Sequence, residues 1–224
     1  MIAAGSAAVL VFALDLWAVV GDWPPLRELD EAAATAAQRA GTAWAWWVPT
    51  WTMVSVVLGP WVFRAVAVVA VVVVLAQRSA RRARSLERRE AVIALAITIL
   101  VGGFVPVAVK ALVGRARPPE ALVTAAQSSF PSAHAFGVVV AFGAAMAFVR
   151  MRSRGVNAQL WVVGSALVVL VCAARALLAV HYVSDVVAGA ALGVAWLALA
   201  FTVLTIGRSD PAAAVSASGA APAR

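Results

Sequence analysis

Long apolar stretches are the feature that most constrains how this chain of 224 residues can fold. They recur six times, each lasts about 20 residues, and short polar segments separate them. Apolar residues make up 64% of the chain, whereas a soluble domain contains about 45–50%. Lipid offers the backbone no hydrogen-bond partners, so a spanning segment must be a helix or part of a closed barrel. The sequence therefore predicts an all-α integral membrane bundle of six transmembrane helices.

The predicted spans follow from the length of each apolar run and from the polar residues that interrupt it. We place them at about 2–20, 54–77, 91–113, 132–149, 160–180 and 185–206. Residues 1–208 should form one membrane domain, and the Ala-, Ser- and Pro-rich residues 209–224 a disordered cytoplasmic tail. Between the first two spans, Ala-rich residues 26–40 predict a short surface helix within segment 21–50. The role of that segment, as a lid, a partner surface or a spacer, stays open.

Arginines cluster in two of the connecting segments and indicate the orientation of the chain. Segment 78–90 contains six of them and segment 150–159 contains three. An excess of basic residues marks the cytoplasmic loops of membrane proteins, so the net charge of +8 reflects topology rather than nucleic-acid binding. With six spans, both segments are cytoplasmic only if both termini are cytoplasmic too. We therefore expect a multi-pass plasma-membrane protein without a nucleic-acid partner, whose loops near 114–130 and 181–185 face outside.

Three residues inside the apolar runs carry further predictions. Cys172 is the only cysteine, which rules out an intrachain disulfide and a zinc site of the usual ligand number. Asp15 and Arg64 lie at similar distances from the outer ends of the first two spans. Because charges in lipid are costly and usually paired or functional, we predict an ion pair between them. The alternative is that Arg64 extends alone towards the interface.

A histidine and an aspartate at the start of the last span predict a nucleophile. His181 and Asp185 are one helical turn apart, so the carboxylate can accept the Nδ1 proton of His181 and leave Nε2 free to attack. Arg175 precedes His181 by six residues, so the helix carrying Arg175 must end between them. A lone histidine at the end of a span would be read as an interfacial residue. The carboxylate partner and a second histidine in the chain favour a catalytic role instead.

The second histidine belongs to the run Pro131-Ser132-Ala133-His134, which opens a predicted span. Ser132 is a suitable N-cap residue. Backbone N–H groups at such a helix start point outwards, and the helix dipole favours an anion there. His134, near the start of this helix, is placed to act as a general acid towards a leaving oxygen.

Three cations complete the predicted constellation. Lys110, Arg117 and Arg175 can neutralise the equatorial oxygens of a phosphoryl group during transfer. Lys110 is the only lysine among eighteen basic residues, and it precedes an Arg-Pro pair by seven positions. We expect the neighbouring Arg115 to be solvated. The sequence contains no cluster typical of a metal cage, so we expect catalysis without a divalent ion or a cofactor.

Taken together, the three motifs resemble the signature of the type 2 phosphatidic acid phosphatase superfamily, which also includes bacterial class A acid phosphatases and vanadium haloperoxidases. That signature reads Lys-x6-Arg-Pro, Pro-Ser-Gly-His and Ser-Arg-x5-His-x3-Asp. Two positions depart from it. Ala133 stands in place of Gly, which keeps the backbone N–H but makes a close approach of phosphate harder. Ala174 stands in place of Ser and lacks its hydroxyl, and we expect activity to persist despite both changes.

The resemblance implies a role for each residue of the constellation. His181 would attack phosphorus and become a phosphohistidine, and Asp185 would orient it. His134 would protonate the leaving group and later help to activate water. The phosphate would be held by Lys110, Arg117, Ser132, the backbone of Ala133 and Arg175.

The resemblance also implies a function: a membrane-bound bacterial lipid phosphatase, similar to undecaprenyl diphosphatases. The expected substrate is a phosphorylated lipid in the surrounding membrane, such as a polyprenyl diphosphate, phosphatidate or phosphatidylglycerophosphate. One alternative is a lipid phosphotransferase, in which the phosphohistidine passes its group to a lipid or sugar acceptor. Another is a non-catalytic protein that binds or transports lipids. A vanadate-dependent peroxidase is the least favoured.

Overall fold

The structure is a computed structural model that describes residues 2–76, 82–152 and 158–206, with side chains for 2–76, 89–151 and 158–204. The predicted tail at 209–224 lies outside the described residues, as do Arg78, Arg81 and Arg154 of the basic segments. The helices in the described ranges are α1 (Ile2–Val20), α2 (Pro24–Ala43), α3 (Trp47–Val57), α4 (Pro60–Ala76), α5 (Arg82–Gly102), α6 (Phe104–Val113), α7 (Ala133–Arg152), α8 (Ala158–Leu177) and α9 (Val183–Ile206).

Within those ranges, six helical segments are long and apolar enough to cross a membrane. They are Ile2–Val20, Trp47–Ala76, Arg89–Val113, Ala133–Met151, Ala158–Leu177 and Val183–Leu204. Helices α3 and α4 together form the second span, and α5 and α6 form the third. The prediction of an all-α membrane bundle with six spans is therefore confirmed.

Two of these spans are broken, in each case close to a proline. Pro60 begins α4, and the residue before a proline is pushed out of the helical region, so α3 ends before Gly59. Pro106 has no N–H to donate to the carbonyl of Gly102, where α5 ends. A count of apolar residues does not register such breaks, and the predicted spans were continuous. The first break lies beside His134, and the second lies beside Arg64.

Several helix ends differ from those predicted. The second span begins at Trp47 rather than near 54, because the tryptophan-rich segment is itself helical. Helix α5 begins at Arg82, so most of the predicted basic loop at 78–90 is helical, in keeping with its good helix formers. Helix α8 ends at Leu177 rather than near 180, since Ala179 adopts a left-handed φ of 50°. The helix predicted at 26–40 is present as the longer α2, which has Asp30, Ala34 and Ala37 buried.

Helix α9 packs against α1 on one side and α7 on the other. Gly189 allows the close approach to α7, because a Cβ there would lie 2.3 Å from the backbone oxygen of Ser132. Further along the two helices, a buried cluster is formed by Phe136, Val139, Val140 and Leu197. This packing fixes the start of α7 beside the start of α9.

The predicted ion pair between Asp15 and Arg64 is wrong. Asp15 lies in α1, within electrostatic range of Asp30, Asp185 and Arg115, and its Oδ2 has no hydrogen-bond partner among the described residues. Arg64 lies in α4, where its Nη2 donates a long 3.5 Å hydrogen bond to the carbonyl of Gly103. The two residues are separated because α1 packs on α9, whereas α4 packs on α5 and α7. Similar depths in two spans do not make those spans neighbours.

Candidate active site

All three sequence motifs meet at one end of the bundle, which we call the site end. Lys110 lies in the last turn of α6 and Arg175 in the last turn of α8. Helix α7 starts there at Ala133, and α9 starts two residues before Asp185. His181 lies in the short turn between α8 and α9. The structure thus brings the predicted site residues together.

His181 is the more deeply buried of the two predicted catalytic histidines, with 3% of its surface exposed. Its Nδ1 faces Oδ2 of the fully buried Asp185 at 3.5 Å, which is longer than a well-formed hydrogen bond. The same Oδ2 accepts a hydrogen bond of 2.8 Å from the backbone N–H of Tyr182. On the other edge of the ring, Nε2 lies 3.4 Å from Nη1 of Arg117. The imidazole therefore stands between a carboxylate and a cation, with Nε2 on the cationic side.

Burial lowers the pKa of His181 to about 4. The carboxylate of Asp185 raises this pKa, but the cations Arg175 and Lys110 lower it and add to the effect of burial. The imidazole is therefore neutral at neutral pH. A neutral ring keeps the lone pair that a nucleophilic nitrogen needs.

The stability of the folded protein should fall as the pH drops from about 6.5 towards 4. In this window the unfolded chain binds a proton at position 181 and the folded protein does not. The free energy of unfolding should then decrease by up to about 1.4 kcal/mol per pH unit. We expect the melting temperature of His181→Gln in detergent to depend less on pH than that of the wild type. Equal pH dependence in both proteins would contradict a buried neutral His181.

Lys110 and Arg117 are held by backbone carbonyls of the segment between α6 and α7. The Lys110 Nζ donates to Ser128 at 2.5 Å and to Ser129 at 3.0 Å. The Arg117 guanidinium donates to Gln127 at 3.1 Å and, through Nη2, to a further carbonyl at 2.8 Å. Burial lowers the pKa of Arg117, although Asp185 acts in the opposite sense. Carbonyls orient these cations without neutralising them, which leaves their charge available to an anion.

Arg175 is held in a different way, by the second span. It is 7% exposed, and its Nη1 donates a hydrogen bond to Oγ of the buried Ser55 in α3. Its Nε lacks a hydrogen-bond partner within the described part of the chain. Sequence reasoning missed Ser55, because an isolated serine in an apolar helix carries no local signal of this contact.

The start of α7 has the features expected of an anion-binding helix terminus. Ser132 is buried, and its Oγ accepts a hydrogen bond of 3.4 Å from the N–H of Ala135, so the predicted N-cap is confirmed. Its own N–H donates to the backbone oxygen of Asp185 at 2.8 Å and is therefore already occupied. Ala133 is half-buried. His134 lies beside the α3–α4 break. A Cβ added at Gly59, in that break, would be 3.6 Å from the Nε2 of His134.

Arg115 was expected to be solvated, and this expectation is wrong. Its side chain is 17% exposed and forms two ion pairs, from Nη1 to Asp185 Oδ1 at 2.8 Å and from Nη2 to Asp30 Oδ2 at 2.9 Å. The guanidinium also lies 4.2 Å above the ring of Tyr182. Burial lowers the pKa of Arg115, but the two carboxylates outweigh this effect and raise the pKa above its usual range.

Asp30 in α2 is a site residue that sequence reasoning missed. Its side chain is fully buried, and its carboxylate accepts hydrogen bonds from the backbone N–H of Ser184 at 3.0 Å, from the Ser184 hydroxyl and from Arg115. Asp30 thereby ties segment 21–50 to the start of α9. The only hint in the sequence is that three of the four residues from Glu28 to Glu31 are acidic, and a solvated helix face would look the same.

Within the described residues, no group of three or more His, Cys, Asp or Glu side chains is arranged to hold a metal ion. The site end instead concentrates cationic side chains and backbone N–H groups, which are ligands for an anion.

Comparisons with known proteins place the fold. One solved structure, described as the crystal structure of the first transmembrane PAP2 type phosphatidylglycerolphosphate phosphatase from Bacillus subtilis, superposes with a TM-score of 0.68 and 20% sequence identity. The alignment covers 92% of this chain and 98% of that one, so the two proteins share the six-span fold. No curated protein matches the sequence. The family model of the PAP2 superfamily matches residues 91–207, more than half of the chain. The protein therefore belongs to the PAP2 superfamily.

Proposed function

We propose that this protein is a membrane phosphatase that removes a phosphate from a phosphorylated lipid through a phosphohistidine intermediate. The observation that carries the proposal is the placement of neutral His181 between Asp185 and Arg117, with its Nε2 turned towards a guanidinium that pairs with no carboxylate among the described residues. A phosphoryl group bound by those cations would lie next to a nitrogen that can attack it. Membership of the PAP2 superfamily supports the same chemistry.

The first half of the reaction would transfer the phosphoryl group to the protein. Lys110, Arg117, Arg175, the Ser132 hydroxyl and the Ala133 N–H would hold the phosphate oxygens. The His181 Nε2 would attack phosphorus, forming a P–N bond as the P–O bond to the lipid breaks. His134 would give its proton to the leaving oxygen, and Asp185 would stabilise the positive charge that develops on His181.

The second half would release inorganic phosphate. His134, now deprotonated, would take a proton from a water molecule that attacks phosphorus. The P–N bond would break, and the neutral imidazole of His181 would be restored. No step in this scheme requires a metal ion, because the cations already present neutralise the oxygens.

The orientation proposed from the arginines fits the direction of the helices. The described arginines of the basic segments, among them Arg89 and Arg150, lie at the ends of α5 and α7 opposite the site end. If those ends are cytoplasmic, as an excess of basic residues predicts, the site end faces the outside of the plasma membrane. Both termini would then be cytoplasmic. Suitable substrates are lipids whose headgroups reach that surface: a polyprenyl diphosphate, phosphatidate and phosphatidylglycerophosphate.

The purified protein should release phosphate from at least one of these lipids in detergent with excess chelator. We expect Lys110→Gln to lower kcat/KM by roughly 10- to 100-fold, because a charge-assisted contact to phosphate is lost. The matched control is Arg27→Gln, which removes one positive charge from an exposed pair with Asp22 and should leave activity unchanged. Activity that disappears with chelator would contradict metal independence. Transfer of phosphate to an added lipid alcohol, in place of release, would indicate a phosphotransferase.

A further inference from the structure

Arg64 is a cation inside the second span that the catalytic scheme does not use. It is half-buried, and its guanidinium lies 4.9 Å from the centre of the Trp61 ring. Its hydrogen bond to the Gly103 carbonyl, at 3.5 Å, is at the long limit for such a contact. In the part of the chain that the structure describes, no carboxylate forms an ion pair with it. A charge placed in a membrane span without such a partner is usually functional.

The other cations near the site are engaged more firmly. Arg115 is neutralised by two carboxylates, and Lys110 and Arg117 are each held by at least two backbone carbonyls. Arg175 is fixed by Ser55. Arg64, with its one long hydrogen bond to a carbonyl, is therefore a further positive charge that a ligand can bind, in addition to Lys110, Arg117 and Arg175.

A small pocket joins Arg64 to the start of α7. It lies between α4, the α5–α6 break and α7, and its walls include Arg64, Gly103, Pro106, Ala133 and Gly137. The absence of a side chain at Gly103 makes room for the guanidinium, because a Cβ there would lie 2.4 Å from Nη2 of Arg64. The pocket thus has a cation on one wall and Ala133, the first residue of α7, on another. It has room for about one water molecule, so a phosphate group enters only if the Arg64 side chain moves.

Arg64 lies deeper in the bundle than the proposed phosphate site. It follows Gly59, which is next to His134, by five residues, or about 7 Å along a helix. Its partner Gly103 precedes Lys110 by seven residues, or about 10 Å. From the site end inwards, the order is therefore the α7 terminus, then Arg64, then the membrane-embedded part of α4.

We propose that Arg64 forms a second anion-binding site, which binds the phosphorus group adjacent to the chain in lipids that carry two such groups. This inference rests on the proposed function and narrows its substrate class to lipids such as a polyprenyl diphosphate or phosphatidylglycerophosphate. These lipids carry a terminal phosphate, then a second anionic group, then the hydrocarbon. The bundle presents matching groups in the same order, which are the α7 terminus, Arg64 and the membrane-embedded part of α4. Phosphatidate and prenyl monophosphates have no second group for Arg64 to bind.

Matched pairs of substrates test this assignment in the full-length protein. A polyprenyl diphosphate is compared with the monophosphate of the same chain, and phosphatidylglycerophosphate with phosphatidate of the same acyl chains. Arg64→Gln should lower kcat/KM by roughly 10- to 100-fold for the first member of each pair and leave the second little changed. Arg64→Lys should recover part of the loss, since it keeps the charge but not the planar fork. An equal loss on both members, or no loss on either, would overturn the assignment.

A second variant and a binding measurement separate this inference from the catalytic proposal. Gly103→Ala keeps Arg64 but crowds its guanidinium, so it should reproduce the selective loss. Binding of the non-hydrolysable probe prenyl methylenediphosphonate, measured by calorimetry in nanodiscs, should weaken roughly 10- to 100-fold in Arg64→Gln. Binding of the corresponding prenyl phosphonate should not weaken. If the wild type releases no phosphate yet binds the probe in this Arg64-dependent way, the proposed catalysis fails and the second anion site stands. Probe binding that does not depend on Arg64 would overturn the site.

Discussion

Replacing His181 with alanine is expected to lower kcat for phosphate release by roughly 10⁴-fold or more, because the proposed nucleophile is lost. The cations and the start of α7 would remain, so the dissociation constant for substrate should change far less than kcat. The measurement is phosphate release under single-turnover and steady-state conditions, with the melting temperature of each variant recorded in the same detergent. A variant with an unchanged melting temperature and near wild-type kcat would contradict the role of His181.

His134→Ala serves as the comparison that separates the two histidines. An aryl phosphate has a weakly basic leaving group that needs little help from a general acid. With this substrate, His134→Ala should still transfer the phosphoryl group to His181 and then hydrolyse the phosphohistidine slowly. We expect a burst of about one phenolate per site for His134→Ala and no burst for His181→Ala. A burst in His181→Ala would show that the nucleophile is another residue.

The bundle was predictable because lipid restricts the backbone to few solutions. The first span is helical over Ile2–Val20, as its apolar length predicted. The proximity of His181 to Asp185 was also predicted from their separation of four residues, although His181 lies in the turn before α9 and its Nδ1 is 3.5 Å from the carboxylate. The N-cap at Ser132 followed from local chemistry in the same way.

Contacts between distant segments were not predictable. Asp30 meets Arg115 across 85 residues of sequence, and Arg175 meets Ser55 across 120. The periodicity of a helix shows which face a residue occupies but not which helix covers that face. For the same reason Arg64 was paired with the wrong residue. The two broken spans were predicted as continuous for a different reason, because a count of apolar residues leaves out the local effect of Pro60 and Pro106.

Arg115→Gln is expected to destabilise the folded protein by about 3–5 kcal/mol, the usual cost of breaking a buried ion pair by removing one partner. Asp30 and Asp185 are both fully buried, and the two would lose their shared cation. Asp30→Asn should cost less, because Arg115 still neutralises Asp185. The double variant should be more stable than Arg115→Gln, since the neutral amide introduced by Asp30→Asn needs no cation. Unfolding measured for all four proteins gives the coupling energy, and strictly additive effects would contradict a shared network.

An exposed ion pair at the start of α2, between Arg27 and the preceding Asp22, provides the matched control for this cycle. Arg27 pairs with Asp22 at 2.5 Å, but both side chains are largely exposed, so Arg27→Gln should cost at most about 1 kcal/mol. Activity adds a separate readout. Arg115 holds Oδ1 of Asp185, and the other carboxylate oxygen, Oδ2, faces His181. The double variant Arg115→Gln/Asp30→Asn should therefore regain stability compared with Arg115→Gln but should not regain kcat. A recovered kcat would mean that Arg115 only balances charge. Persistent loss would mean that segment 21–50, acting through Asp30 and Arg115, positions the carboxylate that orients the proposed nucleophile.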